Sequence, residues 1–151
     1  MTEPFDGLPS PALLRIAYNG LSARIFASVS GSGFDDLRPS HGNALEQLAI
    51  EDGLRLTHLA TRAGMTAQSM GELVDDLVTK GYVQRQPDPD DRRAKRIHLT
   101  DRGRVCVRAS ARAVADVEKH LADLLGQQRY RLLRRTLEDV ITAEASDDNQ
   151  R

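Results

Sequence analysis

Three observations predict a mainly α fold with a small β wing. Residues 54 to 83 read as two short helices joined by a tight glycine turn, a helix-turn-helix signature. A Pro/Asp stretch follows directly, running from Gln86 into the cations Arg92, Arg93, Lys95 and Arg96, with a short strand on either side. Long amphipathic helices lie towards both termini. The order helix, turn, helix, charged hairpin is that of a winged helix-turn-helix, and it points to a DNA-binding regulator.

Residues 1 to 10 are rich in Pro, Gly and Ser and read as loosely ordered. From Pro11 to Val29 the apolar residues Leu14, Tyr18, Leu21, Ile25 and Val29 recur at spacings of four and three, which gives a helix with one apolar stripe. Ser30-Gly31-Ser32-Gly33 ends it. Ser40 is placed to cap a second helix that carries Ala44, Leu45, Leu48 and Ala49 and ends at Gly53. Leu54-Arg55-Leu56 reads as one short strand, and Thr57 as the cap of a helix holding Leu59, Ala60 and Ala63.

Gly64-Met65-Thr66 is the turn. Gly64 supplies a left-handed exit, and Thr66 caps the next helix, which buries Met70, Leu73, Val74, Leu77 and Val78 and closes at Lys80-Gly81. Tyr82 to Gln86 and Lys95 to Leu99 form the strands of the wing, with Ile97 and Leu99 on one face and Arg96 and His98 on the other. Thr100 caps a long helix without proline that runs to about Leu125, and Gly126 breaks it. A last helix carries Tyr130, Leu133, Leu137 and Val140 on one stripe, and the polar tail from Ser146 reads as its frayed end.

Composition bounds the function. The 151 residues suit one domain, spanning 1–151, able to build a core without disulfides or metal. With few aromatics, Leu, Val, Ile and Ala must fill that core. A net charge of -1 means that any nucleic-acid binding rests on where the charge sits, not on its total. The single cysteine, Cys106, allows no intrachain disulfide and fits a reducing cytoplasm. The first residues lack a basic segment followed by an apolar one, so no signal peptide is expected, and charges interrupt every apolar run. Val114, Val117, Leu121 and Leu124 extend the apolar stripe of the long helix beyond what a small winged module can cover, so a second copy of the chain is the expected partner.

Taken together, Leu59-Ala60, Gly64-Met65-Thr66, Lys80-Gly81-Tyr82-Val83, Asp91-Arg92-Arg93, Leu99-Thr100 and Gly103 resemble the MarR family of bacterial transcriptional regulators over about residues 11 to 145. The resemblance implies a winged helix-turn-helix at about 40–103, flanked by dimerisation helices at about 11–35 and 104–145. It also implies a homodimer on a short palindromic operator, often released by a small ligand or by cysteine oxidation. Arg93 is then the wing residue that enters the minor groove, steadied by Asp91, and a planar guanidinium suits the concentrated negative potential there. Arg92, Lys95 and Arg96 are expected beside phosphates.

The recognition helix should present Ala67, Gln68, Ser69 and Glu72 outward. Gln68 can pair with adenine and Glu72 with the cytosine amine. The amides near Thr66 and Ala67 can hold a phosphate. The chain departs from the family here. Many members are basic where Glu72 stands, and from Thr66 to Lys80 three acids face one lysine for a net of -2, which shifts the burden of affinity onto the wing. Asp75 and Asp76 face solvent or meet cations from elsewhere in the fold.

Cys106 reads as a small packed side chain; the family's oxidation sensors carry their cysteine in the first-helix region, which has none here. His41 lies where the family holds small ligands and is the candidate effector contact. His41, His58, His98 and His120 show no metal-ligand spacing, and no catalytic arrangement, cofactor motif or membrane span is visible. The expectation is therefore a cytoplasmic, non-enzymatic, dimeric repressor that binds double-stranded operator DNA and is released by a small-molecule effector. The alternative is a winged-helix module that binds protein, and the acidic recognition helix favours it.

Overall fold

The computed structural model describes residues 5–148. Contacts divide the chain into two compact units, Met1–Ala113 and Val114–Arg151, and the boundary falls inside a helix.

The first unit opens with α1, Ser10–Gly31. A 3-10 turn at Pro39–His41 leads into α2, Gly42–Ile50. β1, Leu54–Arg55, passes directly into α3, Leu56–Arg62, and α4 follows as Ala67–Thr79. β2, Val83–Pro87, and β3, Lys95–Leu99, make the wing. α5, Asp101–Leu125, crosses the boundary between units, and α6, Gln127–Asp148, completes the second. The fold class read from the sequence holds: helices throughout, and one small antiparallel sheet of order β1-β3-β2. β3 is its centre, pairing Ile97 with Leu54 on one side and with Arg85 on the other.

Local chemistry sets most of the boundaries. Gly64 adopts φ 63° and lets the Met65 amide reach back to Ala60 O at 2.9 Å, closing α3. Thr66 accepts the Ser69 amide at 3.1 Å and starts α4. Gly81, at φ 77°, lets the Tyr82 amide return to Leu77 O at 2.9 Å, so α4 ends where β2 begins. Thr100 caps α5 by accepting the Gly103 amide at 3.1 Å while its hydroxyl donates to Gly81 O at 2.5 Å. Gly126, at φ 76°, separates α5 from α6.

Two expected caps are not used. Neither Ser40 nor Thr57 caps a helix: the 3-10 turn and α3 start after Arg38 and Arg55, and at the 3-10 turn, α2 and α3 no N-cap side chain accepts a backbone amide. Pro39 starts the turn with its fixed φ, and the sheet ladder at Arg55 leaves no free residue between β1 and α3. Leu56 is therefore helical rather than part of the strand, and α2 stops at Ile50, three residues before Gly53. At the ends, Ser10 already belongs to α1, and α6 continues through Ser146 to Asp148; residues 1–4 and 149–151 lie outside the described residues.

The core of the first unit joins Leu45 and Leu48 of α2, Leu59 of α3, Met70, Val74 and Leu77 of α4, Tyr82, Ile97 and Leu99 of the wing, and Cys106 and Ala109 of α5. Of the α1 stripe Val29 is buried, Leu21 and Ile25 are half-buried, and Leu14 and Tyr18 stay exposed. Gly103 shows how closely α5 meets the wing. A Cβ there would stand 2.1 Å from Tyr82 O, an approach no side chain can make. Gly71, in the middle of α4, has only Leu56 Cδ2 at 3.8 Å in that position.

These two glycines should respond oppositely to alanine. Gly103→Ala is expected to cost about 3 kcal/mol or more, because the clash is with backbone. Gly71→Ala should stabilise by roughly 0.5–1 kcal/mol through helix propensity. Urea unfolding of both variants measures the contrast.

Candidate nucleic-acid interface

α4 carries its apolar side into the core and leaves Ala67, Gln68, Ser69 and Glu72 exposed, as the spacing requires. Its acidity is largely balanced within the fold. Asp75 meets Arg85 of β2 at 2.7 Å. Asp76 receives Lys80 at 2.5 Å, Arg38 at 2.6 Å and His41 at 2.9 Å. Together these donors, with the Lys80 hydrogen bond foremost, hold the Asp76 carboxyl at about 2. Glu72 has no ion-pair partner among the described residues. Asp76 thus meets cations, whereas Asp75 meets Arg85 while still facing solvent.

His41 is fully buried. Its Nδ1 accepts the Arg38 amide at 2.9 Å, which leaves the proton on Nε2, directed at Asp76. Burial holds its pKa below the usual 6.5, outweighing the Asp76 contact that favours the cation. Both ring nitrogens are thus engaged inside the fold, in a strut between the 3-10 turn and α4.

The wing tip is a self-bonded loop. The Asp88 amide donates to Ala94 O at 3.0 Å, and the Ala94 amide to Asp91 O at 2.9 Å. The Asp91 carboxylate supports Arg93, but by accepting its main-chain amide at 3.0 Å; no pairing with the Arg93 guanidinium is present among the described residues. Arg92, Arg93 and Lys95 are exposed and have no ion-pair partner among the described residues. Arg96 differs from them. Its guanidinium is turned to the base of the wing, with Nη2 on Asp90 at 3.2 Å and Nε 3.1 Å from Asp88.

Asp88 is the residue that pattern reading passed over. It is 1% exposed, and its Oδ1 accepts the Asp90 amide at 3.0 Å while Oδ2 accepts Arg55 Nε at 2.6 Å. These contacts, the Asp90 amide first, hold its carboxyl well below the usual range despite burial. A second hidden anchor is Asp52, which accepts the Leu99 amide and Arg104 Nη2, both at 2.8 Å. Only Asp88 had a local signal: an aspartate two residues before another amide in a Pro-rich turn.

Cys106 is packed in the core, and burial raises its thiol to about 11, so it is protonated at neutral pH. Among the described residues there is no cluster of acids, histidines and cysteine able to hold a metal, and no helix long and apolar enough to cross a membrane.

A capped helix with an exposed polar face beside a hairpin ending in exposed cations defines a winged helix-turn-helix protein. Residues 35–94 match the sequence model of the MarR family. The HTH-type transcriptional regulator PetP of Rhodobacter capsulatus is 31% identical over 78 residues, which covers 52% of this chain and 47% of PetP, so the match spans about half of that relative. The MarR family protein Rv2887 of Mycobacterium tuberculosis, solved in complex with salicylic acid, is 26% identical with a TM-score of 0.68, covering 89% of this chain and 98% of that one. The transcriptional repressor CouR, solved bound to a 23-mer DNA duplex, has the same fold at 24% identity and TM-score 0.68, covering 93% and 99%. The chain is thus similar to the MarR family in the sequence of this segment and in its fold.

The His41–Asp76 strut predicts two steps of acid sensitivity. His41 is held neutral, so its contribution is complete above about pH 6.5 and declines as pH falls below that value. Asp76 is held ionised, so its contribution is complete above about pH 4 and is lost towards pH 2. Urea midpoints should fall between pH 7 and pH 5 in the wild type. In His41→Gln that slope should flatten, with about 1–3 kcal/mol already lost at pH 7 through unpaired buried groups.

Proposed function

We propose that this chain is a sequence-specific, double-stranded-DNA-binding transcriptional regulator acting as a repressor in the cytoplasm. The observation that carries the reading is the allocation of charge. Asp75 and Asp76 are neutralised from within, while Arg92, Arg93 and Lys95 stay free at the wing tip. The face offered to DNA is therefore less acidic than the sequence of α4 suggests. CouR, of the same fold, was solved on a DNA duplex.

Ala67, Gln68, Ser69 and Glu72 would read the major groove, with Gln68 on adenine and Glu72 on the cytosine amine. The helix start at Thr66 would take a phosphate. Arg93 would enter the minor groove, its backbone fixed by Asp91, with Arg92 and Lys95 on the flanking phosphates. Arg96 would add its charge from the base of the wing, not as a direct contact. Release by a small-molecule effector draws support from the salicylic acid complex of Rv2887. An effector reaching His41 would have to open the 3-10 turn, and through Asp76 it would disturb α4.

The active species would be a homodimer on a palindromic operator. Apolar side chains are left uncovered in both units: Leu13, Leu14 and Tyr18 on α1, and Leu132, Val140 and Ile141 on α6. Leu137→Asp should cost the dimer several kcal/mol by burying a charge, and light scattering should report monomer. A wild-type chain that is monomeric at micromolar concentration excludes this assembly.

Selection from a random duplex pool, followed by titration of single-base changes, tests the division of labour. Half-sites should lie about 10 bp apart. Gln68→Ala should lose about 1–3 kcal/mol of discrimination at one or two positions in each half-site. Arg93→Ala should weaken binding broadly, with residual selectivity at A·T-rich flanks. If the dimer neutralises about six phosphates, the slope of log K against log salt is near -5. A slope near zero would favour the protein-binding module instead.

A further inference from the structure

We infer that Asp88 is the positioning residue that locks the cationic wing to the first helix of the helix-turn-helix, so that both meet DNA as one body; the inference rests on the DNA-binding reading above. Three groups converge on its carboxylate from three parts of the chain. The Asp90 amide comes from the wing tip, 3.0 Å from Oδ1. Arg55 Nε comes from β1, the residue immediately before α3, 2.6 Å from Oδ2. Arg96 Nε comes from β3, 3.1 Å from Oδ2 but off the line of a hydrogen bond, so it acts as charge alone. The carboxylate is almost fully buried, while the two guanidinium side chains remain 39% and 35% exposed.

The consequence concerns geometry more than charge. Without Asp88, Arg55 would lose its carboxylate at the root of the hairpin, Arg96 would keep only Asp90, and the Asp90 amide would lose its acceptor. The tip that carries Arg92 and Arg93 would then sample many orientations relative to α3 and α4. The DNA would have to order it on binding, at a cost in affinity. A bare electrostatic account predicts the opposite sign, because removing an acid makes the protein more cationic and should tighten its grip on phosphate.

That difference in sign makes Asp88→Asn, an isosteric change, the informative variant. The probe is the tightest duplex that the wild-type chain selects from a random pool, at moderate salt. Asp88→Asn should bind it about tenfold more weakly, through lost preorganisation. Arg93→Ala should cost clearly less in the Asp88→Asn background than in the wild type, a non-additivity expected only if Asp88 acts through the placement of the wing. Amide hydrogen exchange without DNA should quicken about tenfold at Asp90, Asp91, Arg93 and Ala94, while Ile97 and Leu99 keep their protection. Arg55→Gln, a milder variant that leaves Arg96 beside Asp88, should quicken the same amides to a smaller extent. Wild-type-like or tighter binding by Asp88→Asn, additive effects with Arg93→Ala, or unchanged exchange at the tip each overturn the inference. A wild-type chain that binds no duplex overturns the DNA-binding reading itself.

Discussion

Tyr82 is the point on which the first unit depends. Its ring is fully buried, tilted against Phe34 with centroids 6.1 Å apart, and its hydroxyl donates to Asp36 at 2.5 Å. Arg102 lies over the ring at 4.3 Å and reaches Asp36, the Tyr82 oxygen and Lys80 O, each within 3.1 Å. Burial and the Asp36 bond push the phenol up to about 12. The Tyr82 carbonyl accepts the Thr100 amide at 3.0 Å and occupies the space above Gly103. One residue therefore fixes the exit of α4, the first strand of the wing, the start of α5 and the loop after α1.

The charge distribution explains how a chain with net charge -1 can still offer a cationic edge. Several of its acids are used internally as acceptors: Asp36 for Tyr82, Asp52 for the Leu99 amide, Asp76 for His41, Asp88 for the wing turn. Each also draws an arginine or lysine into the fold. Cations left at the wing tip are spared because the hairpin loop satisfies its own amides with Asp88 and Asp91. Overall charge is thus a poor guide to the field at one surface.

What could be read from the sequence was whatever depends on neighbours in the chain. Thr66 and Thr100 were legible as caps because the amides they accept lie three residues on, and Gly64 and Gly126 because a left-handed turn needs glycine at that position. The outward face of α4 followed from helical period alone. The anchors were illegible for the converse reason. Asp36 and Arg102 are separated by 66 positions, Asp52 and Leu99 by 47, and His41 and Asp76 by 35, and no local pattern links such pairs. Ser40 and Thr57 misled because a hydroxyl near a helix start is only an opportunity to cap, and here the backbone starts its helices elsewhere. Asp91 illustrates the limit of pattern at the site: the residue was visible, but whether its carboxylate meets a guanidinium or an amide is decided by the shape of the loop.

The sheet's two edges bear on the company this protein can keep. One edge is β1, only two residues long, and the other is β2, which ends in Pro87 and projects Gln84, Arg85 and Gln86 into solvent. A proline offers no N–H, and a two-residue edge offers too short a template for a visiting strand. Both features disfavour recruitment of an extended peptide by strand addition, a common way for small sheets to bind other proteins. The tip of the wing presents side chains and a self-bonded loop. That geometry suits a rigid, grooved polyanion better than a flexible polypeptide.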